Sequence, residues 1–296
     1  MDPPLIMRVL SSSVSLAKHA STIIRNVFFS NTLEIVDKGV EDYQSKADRD
    51  SQRCIVGTLT HCFPGLKCPI SYSSLTENDL IVWVDPLDGT KEFTEGLLDY
   101  VTVLIGISVK GKPIAGVVAQ PFYHSPHSGS DSSPSNTTTR VIWALDGLGW
   151  FGMTPKKPAG RLPYPLDPEL PKGEIPNVVI TTRSHPSVNL SACLESCCAT
   201  VTLRAGGCGY KVLMLLEGRG HLYLFPSPGT KRWDTCAPEA LLNATGGRLT
   251  DVFGQPYDYS TISEPVNNRG ILATPEAAWL AVFAQRIPEM VLESLK

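Results

Sequence analysis

Three aspartates are the residues of this chain best placed to do chemistry. Asp85 and Asp88 stand three apart in VWVDPLDGTKEF (82–93), where an apolar run ends in a turn holding Pro86 and Gly89; Asp234 lies near the start of WDTCAPEALLNATGG (233–247). Two carboxylates on one tight turn repel each other, so one must keep its proton or the turn must strain unless a cation intervenes. A hard divalent ion such as Mg²⁺, which takes carboxylate and carbonyl oxygens, resolves that conflict. Pro86 fixes one φ, and Gly89 leaves the backbone open to a phosphate. The turn is suited to a metal ion and a phosphate. Each feature also has a plainer reading, an Asx-type turn at 85–88 and a helix cap at Asp234.

The elements that must hold these residues are legible from periodicity and punctuation. Residues 6–29 and 45–63 carry helical spacing, the second stretch ending at Phe63-Pro64-Gly65. DLIVWVD reads as a strand buried on both faces, delivering Asp85 at its end. VTVLIGISV and IAGVVAQPF, joined by KGKP, predict a hairpin, and VIWALDGLGWFG a further strand or pair. Residues 124–139 read as a polar loop, and the seven prolines between Thr154 and Asn177 as a linker at a domain boundary. Beyond it NVVITT, VTLRAGG and HLYLFPS alternate with helical stretches around Cys193, over YKVLMLLEG and from Asp234 to Gly246-Gly247, predicting a mixed sheet with covering helices. The expected organisation is α+β in two units, 1–155 and 156–296, the second completing the site.

Composition narrows the class. The chain has 296 residues, 42% hydrophobic content, a net charge of -3 and a pI near 6.1, with basic residues spread along it. That predicts no footprint for a nucleic-acid polymer or an anionic membrane. No apolar run reaches the roughly 20 residues of a membrane span. The eight cysteines have no CxxC pairing or zinc spacing and are expected as reduced thiols, consistent with an expected cytoplasmic monomer.

DPLDGTKEF (85–93) resembles the DPxDGT motif of the inositol monophosphatase superfamily, and WDTCAPEALLNATGGRLTD (233–251) its second signature, WDxxAxxxxxxxxGG. Likeness to the bisphosphate nucleotidases within it extends through residues 96–123, TTRSH and SPGTKRWDTCAPE. The resemblance implies a layered αβαβα sandwich of the inositol monophosphatase/fructose bisphosphatase type. It also implies a Mg²⁺-dependent, lithium-sensitive phosphatase of nucleotide metabolism and sulfate assimilation, acting on adenosine 3',5'-bisphosphate and on 3'-phosphoadenylyl sulfate. It places Asp85, the Leu87 carbonyl, Asp88 and Asp234 as metal ligands, and Thr90 as the group that orients the attacking water with Asp42 as its proton acceptor. Gly89, Thr90, Thr182, His185, Gly207, Lys211 and Asp234 would contact substrate, Lys211 through the second phosphate. One departure stands out: relatives carry a Gly-Glu-Glu motif ahead of the DPxDGT strand whose first glutamate binds metal, and HCFPGLKCPISYSSLTENDLIVWVD (61–85) has none. Two alternatives therefore stay open, an inositol phosphate phosphatase and a catalytically impaired form that still binds nucleotide.

Overall fold

The structure, a computed structural model, describes residues 3–37, 43–65, 80–125, 133–156, 158, 162–163, 166–169, 172, 176–184, 187–260 and 265–296. Helix α1 (Leu5–Phe29) is followed by a two-residue pairing of β1 (Val36–Asp37) with β2 (Tyr43–Gln44), then by α2 (Lys46–Cys62). Ser45 starts α2 with a reciprocal cap. Its backbone N–H donates to the Asp48 carboxylate at 2.8 Å, and its hydroxyl accepts from the Asp48 N–H. Next come β3 (Leu80–Asp88), the single turn α3 (Thr90–Thr94), β4 (Thr102–Val109), β5 (Lys112–Tyr123), β6 (Thr138–Leu145) and β7 (Gly149–Phe151). Strands β3 to β7 form an antiparallel sheet in sequence order. The expected β4–β5 hairpin turns at Lys110-Gly111, both at positive φ.

The second half contributes β8 (Val178–Thr182), α4 (Val188–Ser196), β9 (Val201–Ala205), α5 (Cys208–Leu216), β10 (Leu222–Phe225), β11 (Thr230–Lys231), α6 (Arg232–Ala244), β12 (Arg248–Thr250), β13 (Val266–Asn267), β14 (Ile271–Thr274), α7 (Ala277–Ala284) and α8 (Glu289–Ser294). Its five-stranded sheet runs β12-β14-β10-β8-β9; β8 is parallel to both neighbours and β14 antiparallel to both of its own.

Strand alternation sorts these residues into three cores. Val82 and Val84 of β3 face the core shared with α1 and α2, whereas Ile81 and Trp83 face the one holding α5 and α6. Tyr223 and Phe225 of β10 join that central core from the second sheet, while Leu222 and Leu224 point to a third core with Trp279, Phe283 and Val291 of α7 and α8. Helix, sheet, helix, sheet and helix are thus stacked in five layers, the expected αβαβα sandwich. The central helix α6 lies unusually close to the first sheet. Gly106 and Gly116 face each other on β4 and β5, and a Cβ on Gly116 would stand 2.4 Å from the Ala237 carbonyl oxygen. Two facing glycines therefore let the first turns of α6, which carry Asp234, rest against the sheet whose end carries Asp85 and Asp88.

Two expectations are corrected. The polar loop is shorter than 124–139: Thr138 and Thr139 already belong to β6, because alternate pairing with β5 outweighs their polarity. Within the proline-rich stretch the reading of a free linker is corrected at Leu162 and Leu166, which are buried in the third core. The seven cysteines among the described residues are free thiols, and no helix among those residues is long and apolar enough to cross a membrane.

Candidate active site

The turn that ends β3 is irregular, and the irregularity does the positioning. Asp85 is opposite Leu104 and Asp88 opposite Thr102, so three steps on β3 span two on β4. Such a bulge bends the strand end and re-aims its side chains. Asp88 turns inward against α5. It accepts hydrogen bonds from the Cys208 N–H at 3.0 Å, the Gly209 N–H at 2.8 Å and the Thr102 hydroxyl at 2.8 Å. Asp85 accepts from the Leu87 N–H at 3.1 Å and otherwise faces Asp234. Asp234 sits three residues into α6, not at its cap, and accepts from the Lys231 N–H at 2.6 Å.

The three carboxylates offer oxygens that all lie within 4.8 Å of one another. Burial holds the Asp85 carboxyl well above its ordinary range, and the charges of Asp234 and Asp88 push it further. Burial, then the charge of Asp88, pushes Asp234 up to about 6. Carboxyls driven upward by one another's charge are the donor set that a divalent cation relieves. Oxygen ligands from two strand-end residues and one helix fit a hard ion such as Mg²⁺, and the Leu87 carbonyl lies within the same turn. Lys211 on α5 is the ammonium closest in electrostatic effect to Asp88. It is buried, donates to the Gly207 carbonyl at 2.6 Å and lies 5.3 Å from the centre of the Tyr223 ring.

Asp85, Leu87, Asp88, Gly89, Thr90, Thr182, Gly207, Lys211 and Asp234 all line one cavity of about 530 Å³. Asp42 and His185 lie outside the described residues. The Thr90 hydroxyl, expected to pair with Asp42, lies 2.9 Å from the Asp48 carboxylate and 3.1 Å from the Leu87 carbonyl. Asp48 is held by the Ser45 N–H at 2.8 Å and the Ser45 hydroxyl at 2.5 Å, and burial raises its carboxyl while those bonds and that of Thr90 pull it down. The signal for it was present as Ser45-x-x-Asp48, a capping box that fixes an aspartate at the buried start of a helix. The glycines of AGGCGYK, which line the cavity, also make room within the protein. A Cβ on Gly206 would meet Glu92 at 2.2 Å, and one on Gly207, at φ +61°, would meet the Tyr100 carbonyl oxygen at 2.7 Å and Asp88 at 2.9 Å. Their bareness is used first by Glu92 and Asp88. Arg232 is likewise structural, donating to the Asp258 carbonyl at 2.8 Å.

Comparison with known proteins gives this geometry a family. The profile of the Inositol monophosphatase family matches residues 6–288. The 3'(2'),5'-bisphosphate nucleotidase 1 proteins of Rattus norvegicus and Homo sapiens are each 39% identical, the alignments covering 98% of this chain and 97% of theirs. That of Dictyostelium discoideum is 36% identical over 91% of this chain and 93% of its own. Among solved structures, the extragenic suppressor protein suhB of Bartonella henselae superposes with a TM-score of 0.71 at 21% identity, covering 95% of this chain and 99% of that one. At that identity the superposition shows the αβαβα fold alone. The profile match across the chain and the identity to its curated relatives establish more: this chain belongs to the inositol monophosphatase family.

Proposed function

We propose that this chain hydrolyses adenosine 3',5'-bisphosphate to AMP and phosphate, with Mg²⁺ held by Asp85, the Leu87 carbonyl, Asp88 and Asp234. The observation that carries the reading is three carboxylates within 4.8 Å of one another, in a cavity that also holds a threonine hydrogen-bonded to a buried aspartate. The names of the relatives support the nucleotide, and the volume suits one. When bound, Mg²⁺ neutralises phosphate charge and lowers the pKa of a coordinated water. Thr90 orients the attacking water by accepting its hydrogen bond, since the Thr90 hydroxyl proton is directed to Asp48. The ionised Asp48 then takes the proton relayed through that hydroxyl. Gly89 at φ +88° opens α3 and lets a phosphate oxygen approach the backbone there. Lys211 supplies positive charge to the second phosphate. His185, outside the described residues, is proposed as a further nucleotide contact on the resemblance alone.

The same reading extends to 3'-phosphoadenylyl sulfate, to inhibition by lithium, to a cytoplasmic monomer, and to two units, 1–155 and 156–296, meeting at the site. The missing Gly-Glu-Glu favours a qualified form of it: the nucleotide binds normally and turnover is slow. Calorimetric titration in the presence of Mg²⁺, paired with phosphate release, tests both parts. Adenosine 3',5'-bisphosphate is expected to bind at least about tenfold more tightly than inositol 1-phosphate, a difference of about 1.4 kcal/mol. Equal or reversed affinities overturn the nucleotide assignment.

A further inference from the structure

The two walls of the site are tied together by a dry chain of hydrogen bonds that the hydrolytic chemistry does not use. Tyr259, fully buried in the segment after β12, engages three partners through three different groups. Its N–H donates to the Gly111 carbonyl of the β4–β5 hairpin at 3.0 Å. Its carbonyl accepts from the Ser108 hydroxyl of β4 at 2.9 Å, and Ser108 in turn accepts from the Trp83 indole N–H of β3 at 3.2 Å. Its phenol donates to the Glu239 carboxylate of α6 at 2.6 Å. Trp83 is two residues before Asp85, and Glu239 is five residues after Asp234. Trp83, Ser108, Tyr259 and Glu239 are all 2% exposed or less.

We propose that Tyr259 and Glu239 are positioning residues: with Ser108 and Trp83 they form a strap that fixes the separation of Asp85 from Asp234 and so sets the affinity of the site for a divalent cation. The inference rests on the metal-site reading above and adds its distal control. Two elements that share a metal centre repel each other when the centre is empty, because their carboxylates do. Apolar packing resists that repulsion without direction, and the glycine contact at Gly116 prevents α6 only from coming closer. The strap supplies the opposite restraint, against parting, through bonds strengthened by burial. A carboxyl at Glu239 suits the task. Burial pushes it up to about 7, against the pull of the Tyr259 hydrogen bond and of Arg248, Asn243 and Arg232. Its geometry carries the role: the Glu239 carboxylate accepts from the Tyr259 phenol at 2.6 Å. Glutamine keeps an oxygen that can accept from Tyr259, and alanine removes it.

The experiment is a titration of the full chain with Mn²⁺ alone, free ion being read by electron paramagnetic resonance, alongside thermal unfolding. Tyr259→Phe and Glu239→Ala are expected to weaken Mn²⁺ binding about tenfold, and Glu239→Gln to restore it to within about twofold of the native chain. Leu295→Ala, in the third core, lowers the unfolding temperature without touching the strap, and its Mn²⁺ affinity is expected to stay native. Ser108→Ala cuts only the middle link and gives the same reading should Tyr259→Phe not fold. Native Mn²⁺ affinity in the strap variants, with stability alone reduced, overturns the proposal. A native chain that binds no Mn²⁺ brings down the metal-site reading itself, and the strap proposal with it.

Discussion

At the scale of single residues, the candidate site crowds together carboxyls whose mutual repulsion a cation would relieve. Asp85 and Asp234 confront each other, and each carboxyl is driven up by burial and by the neighbouring charges. Asp85→Asn keeps an oxygen for the Leu87 N–H and replaces a repelling oxygen with a donor toward Asp234. The variant is expected to unfold a few degrees higher than the native chain without metal, on the order of 1–2 kcal/mol, and to lose Mg²⁺ binding and turnover; calorimetry and phosphate release check the two halves. Asp88→Asn is a poorer probe than its place in the motif suggests. Both Asp88 oxygens already accept hydrogen bonds, so an amide nitrogen would face an N–H donor of α5 or the Thr102 hydroxyl. Asp88 was legible as an acid in a motif. That it also caps α5 was not, because Cys208 is 120 residues away.

At the scale of elements, two local devices hold the catalytic groups. The first is the start of α2. Ser45→Ala is expected to reduce stability by about 1 kcal/mol as a lost cap, and to reduce kcat more than KM, because the Asp48 carboxylate keeps the bond from the residue-45 N–H but loses the Ser45 hydroxyl that helps aim it at Thr90. Denaturant unfolding and steady-state kinetics separate the two effects. The second is the seat of α6. Gly116→Ala places a methyl group 2.4 Å from the Ala237 carbonyl oxygen, and backbone on both sides leaves no flexible atom to yield. Its expected cost is about 2–4 kcal/mol, seen as a lower denaturant midpoint and weaker Mg²⁺ binding. Helix boundaries, strands and the hairpin were legible because apolar periodicity and glycine placement are local. Gly106 and Gly116 were visible only as glycines in strands, and their purpose depends on a helix more than a hundred residues later.

For the whole molecule, the site lies where the two halves share the central core, so its charges report on the fold. Asp234 at about 6 and Glu239 at about 7 both stand above the ordinary carboxylate range. A folded state that holds protons more tightly than the unfolded one is favoured below the unfolded pKa and loses that advantage as pH rises through the folded pKa. The metal-free chain is therefore expected to lose several degrees of unfolding temperature from pH 5 to pH 7.5, and saturating Mg²⁺ to recover most of it at pH 7.5; an unchanged midpoint across that range contradicts the charge arrangement. The absent Gly-Glu-Glu belongs at this scale too. Restoring that segment between Leu66 and Cys68 is expected to raise kcat at saturating Mg²⁺ by at least about tenfold, measured on both purified forms.

The sequence by itself determined the motif chemistry, the α+β class, the helices and strands that carry Asp85, Asp88 and Asp234, and the resemblance that implied a layered sandwich. These follow from composition and from spacings of a few residues, where period and turn chemistry act directly. Only the tertiary structure showed that Asp48 meets Thr90, because the capping box at Ser45 fixes that carboxylate at the buried start of α2 and Thr90 is 42 residues away. It alone showed that Gly206 and Gly207 make room for Glu92 and Asp88, and that Tyr259 joins β4 to α6. Those contacts join residues far apart in the chain, and burial strengthens them. No local pattern records which distant partners the packed core will supply.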